Sequence, residues 1–195
     1  DLLDKAMQLE TSDRYAIRSY QLRKEAGQPD AVAPLVAFLN KRPLDGNMRA
    51  YLAQEFRRQG KIEQSIQQYQ ILLEQNSQNI VAINNLAWNF YLAGDDRAEE
   101  FARRAYEMDP DNGVVVDTLG WILTKKGELE DGVRLLRSAV NLSNSRPEIR
   151  YHLAAALAEK GNSEEAAAIL TELLESGEKF QSQAAAQELL SSLRS

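Results

Sequence analysis

Residues 84–112 read NNLAWNFYLAGDDRAEEFARRAYEMDPDN. Leu86, Ala87 and Phe90 precede Gly94; Ala98, Ala102 and Ala105 follow it, and Pro110 closes the stretch. Spacings of one, three and four residues put the first three side chains on one face of a helix with 3.6 residues per turn. Glycine accepts the left-handed backbone that ends a helix, so the stretch predicts two helices folded back on one another.

The same arrangement recurs on both sides. Gly60, Gly94, Gly127 and Gly161 stand 34, 33 and 34 residues apart. Ahead of them, in one register, come Leu52, Leu86, Leu119 and Leu153, then Ala53, Ala87, Gly120 and Ala154, then Phe56, Phe90, Leu123 and Leu157. A period of this length marks stacked helical hairpins. The small column has a physical reason: a bulky side chain there would hold the second helix away from the first, at about 1–3 kcal/mol of overpacking. After the glycines, second stripes run through Ile66, Tyr69, Leu72 and Leu73, through Val133, Leu136, Ala139 and Val140, and through Ala167, Leu170, Leu173 and Leu174. The block after Gly94 is one residue short, which a turn accommodates more easily than a helix.

These columns resemble the tetratricopeptide repeat, whose pattern places Leu, a small residue and an aromatic on the first helix, Gly at the turn, and Pro near the end. The resemblance covers residues 46–180 as four repeats, 46–79, 80–112, 113–146 and 147–180. It implies an all-α, right-handed α-solenoid of helix hairpins. Residues 1–45 are divergent or partial repeats: GQPDAVAPLVAFLNKRP, residues 27–43, supplies a turn, a second helix and a closing Pro43. The first helix before it, roughly residues 13 to 26, carries polar residues where the stripe belongs. Ser77, Asn144 and Glu178 replace the closing proline and Gly132 replaces the packing alanine, and loosened local packing is expected at each. Residues 181–195 are expected to form a capping helix, because a bare solenoid end exposes apolar surface. The chain opens at Asp1 without Met, on a helix-like run of Leu2, Leu3, Ala6, Met7 and Leu9, which reads as a fragment or a processed form of something longer.

A narrower resemblance lies in VVVDTLGWILTKKG (residues 114–127) and EIRYHLAAALAEKG (residues 148–161). Both look like the C-terminal repeats of large bacterial tetratricopeptide proteins encoded with exopolysaccharide and PEP-CTERM/exosortase systems, the PrsT type. That resemblance implies a role in polysaccharide assembly or protein sorting at the cell envelope; a cytoplasmic location stays open.

Composition narrows the chemistry. A net charge of -6 and a pI near 5.0 argue against a surface that wraps nucleic acid phosphates. The absence of cysteine rules out disulfides and thiolate metal sites. No apolar run is long enough to cross a bilayer. His152 is the only histidine, which excludes two-histidine metal sites; beside the apolar stripe of its helix, it is expected to be hydrogen-bonded and structural. The pairs Glu99–Glu100 and Glu164–Glu165 fall at helix starts, where they complement the helix dipole. The chain therefore reads as a binding protein, not an enzyme, with no cofactor and no metal.

In the family, first helices line the inner wall. Carried over, the wall includes Asn47, Ala50, Gln54, Arg57 and Arg58, then Val81, Asn84, Trp88, Tyr91 and Leu92. It continues with Val114, Asp117, Trp121, Thr124 and Lys125, then Glu148, Tyr151, Ala155, Ala158 and Glu159. Trp88 and Trp121, the only tryptophans, hold equivalent places. Beside Asn84, Asp117 and Tyr151 they suit a peptide anchor; inter-repeat filling is the alternative. Arg57 and Arg58, with Lys125 and Lys126, suit a carboxylate or anionic sugar, or are solvated helix ends. The expected partner is a protein or peptide segment, with direct polysaccharide binding or a spacer role as alternatives, and with self-association through an uncapped N-terminal hairpin open.

Overall fold

The computed structural model describes residues 12–144 and 146–194, and every regular element among them is an α-helix. The opening apolar run of Leu2 to Leu9 lies outside the described residues. Two compact units divide the chain, one ending at Ala93 and the other starting at Gly94. The first holds α1 (Asp13–Glu25), α2 (Ala33–Lys41), α3 (Gly46–Arg58), α4 (Ile62–Gln75) and α5 (Ile80–Ala93). The second holds α6 (Arg97–Met108), α7 (Gly113–Lys125), α8 (Leu129–Leu142), α9 (Pro147–Glu159), α10 (Ser163–Glu175) and α11 (Gln183–Leu193). Within each unit consecutive helices pack on one another, as in a helical solenoid of repeats.

Helix ends follow from local chemistry. Gly60, Gly94, Gly127 and Gly161 all take positive φ, between 68° and 91°, and so does Gly27 at 65°. An added Cβ at any of them would meet nothing within 4 Å, so backbone handedness, not space, calls for glycine there. Gly27 extends the turn column to the α1–α2 hairpin. A further column, missed in the sequence, starts the first helices: the Asp45, Asn79 and Asn112 side chains accept from the amides of Met48 (2.9 Å), Ala82 (3.0 Å) and Val114 (3.2 Å). Before α9 the equivalent place is Arg146, and Pro147 supplies the fixed φ of a first helical residue instead.

The predicted stripes are the core. Leu52, Leu86, Leu119, Leu153 and the Phe56, Phe90, Leu123, Leu157 column are all buried, and Ala53, Ala87 and Ala154 are sealed completely. Ser65 holds the packing-alanine place in α4. Its hydroxyl donates to the Ala53 carbonyl at 2.7 Å and accepts from Asn89 Nδ2 at 2.7 Å, tying α3, α4 and α5 together. Arg49 occupies the stripe where Ile83 and Val116 stand in later repeats; it is buried yet donates to Gln68 Oε1 and to the Pro43 carbonyl.

Two expectations of loose packing are overturned. At Gly132 a Cβ would fall 2.3 Å from Thr124 Oγ1 and 3.0 Å from both the Gly120 carbonyl and the Thr124 amide nitrogen. Gly120 is equally confined, 2.9 Å from Leu136 Cγ. The two glycines let the backbones of α7 and α8 touch, so the missing methyl is what permits close packing. At the other end of this hairpin Asn144 takes a left-handed φ of 51°, while a Cβ on Gly113 would lie 2.8 Å from Ser143 Cβ. That end is tight as well.

The divergent first helix forms as α1, with only Ala16 and Tyr20 buried along it. Its polar character has a counterpart on α3. Tyr20 donates its hydroxyl to Glu55, a carboxylate sealed from solvent, which also accepts from Lys24 Nζ at 3.1 Å and pairs with Arg58. At the C-terminal end α11 covers α9 and α10, setting Ala186 and Leu190 against Ala154 and Leu170, as a capping helix requires.

Candidate functional site

In the first unit, the α5 face turned away from its buried stripe carries Val81, Asn84, Trp88, Tyr91 and Leu92. Val81 is 52% exposed and Leu92 45%. Trp88 and Tyr91 are half-buried with ring centroids 5.5 Å apart. Asn84 is buried, and its side-chain oxygen has no hydrogen-bond partner. Arg57 reaches from α3 to α5 and donates Nη1 to Asn85 Oδ1 at 3.0 Å; burial draws its pKa below the usual guanidinium value. Arg58 instead pairs with Glu55 beneath it.

In the second unit, Asp117, Trp121 and Lys125 lie on α7 and Tyr151, His152 and Glu159 on α9. Asp117 and His152 are both buried, with Oδ1 and Nδ1 2.8 Å apart. The carboxylate only accepts, so the imidazole carries a proton on Nδ1 and donates. The His152 ring stacks on Trp121 at 4.3 Å and 28°, leaving the indole 8% exposed. Lys125 Nζ stands 4.3 Å from the Trp121 ring centroid and pairs with Glu159. Tyr151, half-buried, lies 6.3 Å from Trp121.

The cluster of Asp117, Trp121, Lys125 and Tyr151 is therefore real, and it is knitted to its own protein. Of the two roles open to Trp121, the geometry shows packing between consecutive first helices. Thr124 and Ala155, expected on the wall, are buried: Thr124 bonds the Gly120 carbonyl at 2.8 Å and faces Gly132 in the hairpin core. Three of the four candidate cations are matched to carboxylates, Arg58 to Glu55, Lys125 to Glu159 and Lys126 to Glu99, and Arg57 is bonded to Asn85. His152 is hydrogen-bonded and structural, as its place beside the stripe predicts.

Glu55 and Asn85 were missed in the sequence, and Glu159 was placed on the wall without its pairing to Lys125. A signal exists for one: Lys125 and Glu159 are 34 residues apart, one repeat, so opposite charges share a place on neighbouring first helices. Among the described residues no cluster of three His, Cys, Asp or Glu is placed to hold a metal ion, and no helix is long and apolar enough to cross a membrane.

Burial of Trp121 makes a spectroscopic prediction. In a Trp88→Phe variant the remaining indole emits at the blue end of the tryptophan range and resists acrylamide. Ready quenching with red-shifted emission would refute the stacked geometry.

Comparison with known proteins places this geometry. The family model for the tetratricopeptide repeat matches residues 123–193. The TPR repeat-containing protein PA4667 of Pseudomonas aeruginosa is 28% identical over 139 residues, 65% of this chain, and the chain spans only 22% of that protein's length. Among solved structures, TTC0263, a thermophilic TPR protein of Thermus thermophilus, superposes with a TM-score of 0.74 at 19% identity, over 93% of this chain and 98% of that one. YrrB, a TPR protein with an unusual peptide-binding site, superposes with a TM-score of 0.57 at 14% identity, over 90% and 92% of the two chains. At these identities the structural likeness speaks for the fold alone.

Proposed function

We propose that this chain, a tetratricopeptide repeat protein, is a protein-interaction scaffold that holds an extended segment of a partner protein against first-helix surface. The observation that carries this is α5. One face of the helix builds the core, and the opposite face still presents Val81 and Leu92 to solvent beside Trp88 and Tyr91. Exposed aliphatics flanking half-buried aromatics form the kind of surface on which a few side chains supply most of the binding energy. The peptide-binding site named for YrrB, a relative in fold, is in keeping with this reading.

The polysaccharide alternative needs an indole face open to a sugar ring. Trp121 is covered by His152 and Trp88 is half-buried, which favours the protein partner. Association of this kind uses no cofactor and no catalytic group.

Peptides selected from a random displayed library on the wild-type protein are expected to bind Leu92→Glu or Val81→Glu about tenfold or more weakly, since a charge replaces an anchor of about 1.5–3 kcal/mol. Both positions are solvent-exposed, so the fold persists, which circular dichroism checks. Unchanged affinity in both variants would sink the α5 surface. The narrower setting, exopolysaccharide assembly or PEP-CTERM protein sorting at the envelope, rests on the phrases in residues 114–127 and 148–161. A pull-down from the source cells is expected to recover envelope assembly or sorting proteins; recovery of general chaperone clients alone would count against it.

A further inference from the structure

Arg57 is the candidate cation that no carboxylate meets among the described residues. Glu55 serves Lys24 and Arg58, Glu159 serves Lys125 and Glu99 serves Lys126. Half-buried on α3, Arg57 makes one hydrogen bond among the described residues, from Nη1 to Asn85 Oδ1 at 3.0 Å. Asn85 is held in turn, its Nδ2 donating to the Val81 carbonyl at 2.8 Å. The guanidinium is thereby fixed against α5 with its charge unmatched and most of its N–H donors unspent. Burial draws its pKa down; of the titratable groups that act on it, Tyr69 is a phenol sealed in the core and Arg58 carries the same charge. A cation partly out of water with no counter-charge is costly, and proteins keep such groups paired.

On the reading that α5 holds a partner segment, we propose that this segment carries an aspartate or glutamate whose side-chain carboxylate pairs with Arg57, close to an aliphatic residue that covers Val81. The planar fork of a guanidinium takes both oxygens of a carboxylate. A phosphate group draws on a cluster of cations, and Arg58 is already engaged by Glu55. The spacing follows from α5. Asn85 lies about 6 Å along the helix from the exposed Val81, a distance that an extended chain covers in about two residues. Asn85 also falls between Val81 and Leu92 in α5, so a segment covering both passes Arg57 and does not end there. That assigns the carboxylate to a side chain, not to a chain terminus.

The test is a random peptide library, displayed with free C-termini and selected in parallel on the wild-type protein and on Arg57→Gln. Wild type is expected to enrich an acidic residue at a fixed spacing from an aliphatic one, and Arg57→Gln to keep the aliphatic and lose the acid. In a synthetic copy of a selected peptide, amidated at its C-terminus, replacing the acidic residue by its amide is expected to weaken binding to wild type about tenfold and to leave binding to Arg57→Gln unchanged. That change lies on the ligand and leaves the protein's fold untouched. Aliphatic selection without acid on wild type, or the same acid preference on both proteins, would overturn the Arg57 pairing and leave the α5 surface standing. Binding that is lost on amidation of the C-terminus would give Arg57 to a chain end and overturn the side-chain assignment. Selection of no peptide at all would overturn the α5 reading and the pairing together.

Discussion

Gly132→Ala is expected to destabilise the protein by about 2 kcal/mol, and Gly132→Val by about 3 kcal/mol or more, in urea denaturation. Helix propensity argues the opposite, because alanine inside a helix is worth about 1 kcal/mol over glycine. The contacts decide the sign. The new methyl falls 2.3 Å from Thr124 Oγ1, which a rotamer change relieves, and 3.0 Å from two backbone atoms of α7, which no rotamer change relieves. A Thr124→Ala companion is therefore expected to restore part of the loss and leave the rest, a coupling that a double-mutant cycle measures. If Gly132→Ala proves neutral or stabilising, the backbones of α7 and α8 do not touch as described.

Glu55→Ala is expected to cost about 2–4 kcal/mol, felt first in α1, because it removes a buried carboxylate and leaves the Tyr20 hydroxyl sealed without an acceptor. Lys24 and Arg58 are half exposed or more and turn to water, which keeps the cost below that of a fully buried ion pair. The pH dependence follows from opposing effects. Burial pushes the Glu55 pKa up, while the hydrogen bonds from Tyr20 and Lys24 and the Arg58 charge outweigh it and hold the pKa below its ordinary value. A depressed carboxyl pKa adds stability above the unfolded pKa of about 4.3, lost as pH falls through the folded value. Burial and then Glu55 raise the Tyr20 pKa, and the bonds to Tyr20 and then Glu55 raise that of Lys24. Those contributions are complete below about pH 10 and disappear as pH rises through the raised values. The protection of α1 amides, taken relative to intrinsic exchange at each pH, is accordingly expected to be greatest at intermediate pH and to fall in acid before that of the rest of the first unit. In Glu55→Ala the acid limb flattens; an unchanged acid limb would show that the network does not anchor α1.

The hairpins were legible because glycine, leucine and a small residue each do one physical job at one offset. Even the one-residue deletion after Gly94 appeared where a turn absorbs it. Gly132 was misread for an instructive reason. A missing alanine looks like missing packing when a single column is read, and only the opposing Gly120 on the partner helix turns it into closer packing. The polar α1 lies where the sequence put it, and what stayed hidden is the partner of its buried tyrosine, 35 residues away. On the first-helix surface of the second unit Asp117, Trp121, Lys125 and Tyr151 lie together but are already engaged within their own protein, and Thr124 and Ala155 are buried. Lys125, Arg57 and Asp117 look like free functional groups in one dimension; Glu159, Asn85 and His152 occupy them in three.

Among the described residues, the buried polar links from Tyr20 to Glu55 and from Asp117 to His152 each join first helices across 35 residues. The ion pair from Lys125 to Glu159 and the bond from Ser182 to Glu148 span 34. No link among these asks the chain to close a loop longer than about one repeat. Within each unit these links join a hairpin only to its immediate neighbour, the arrangement that lets a repeat array begin to assemble at more than one place.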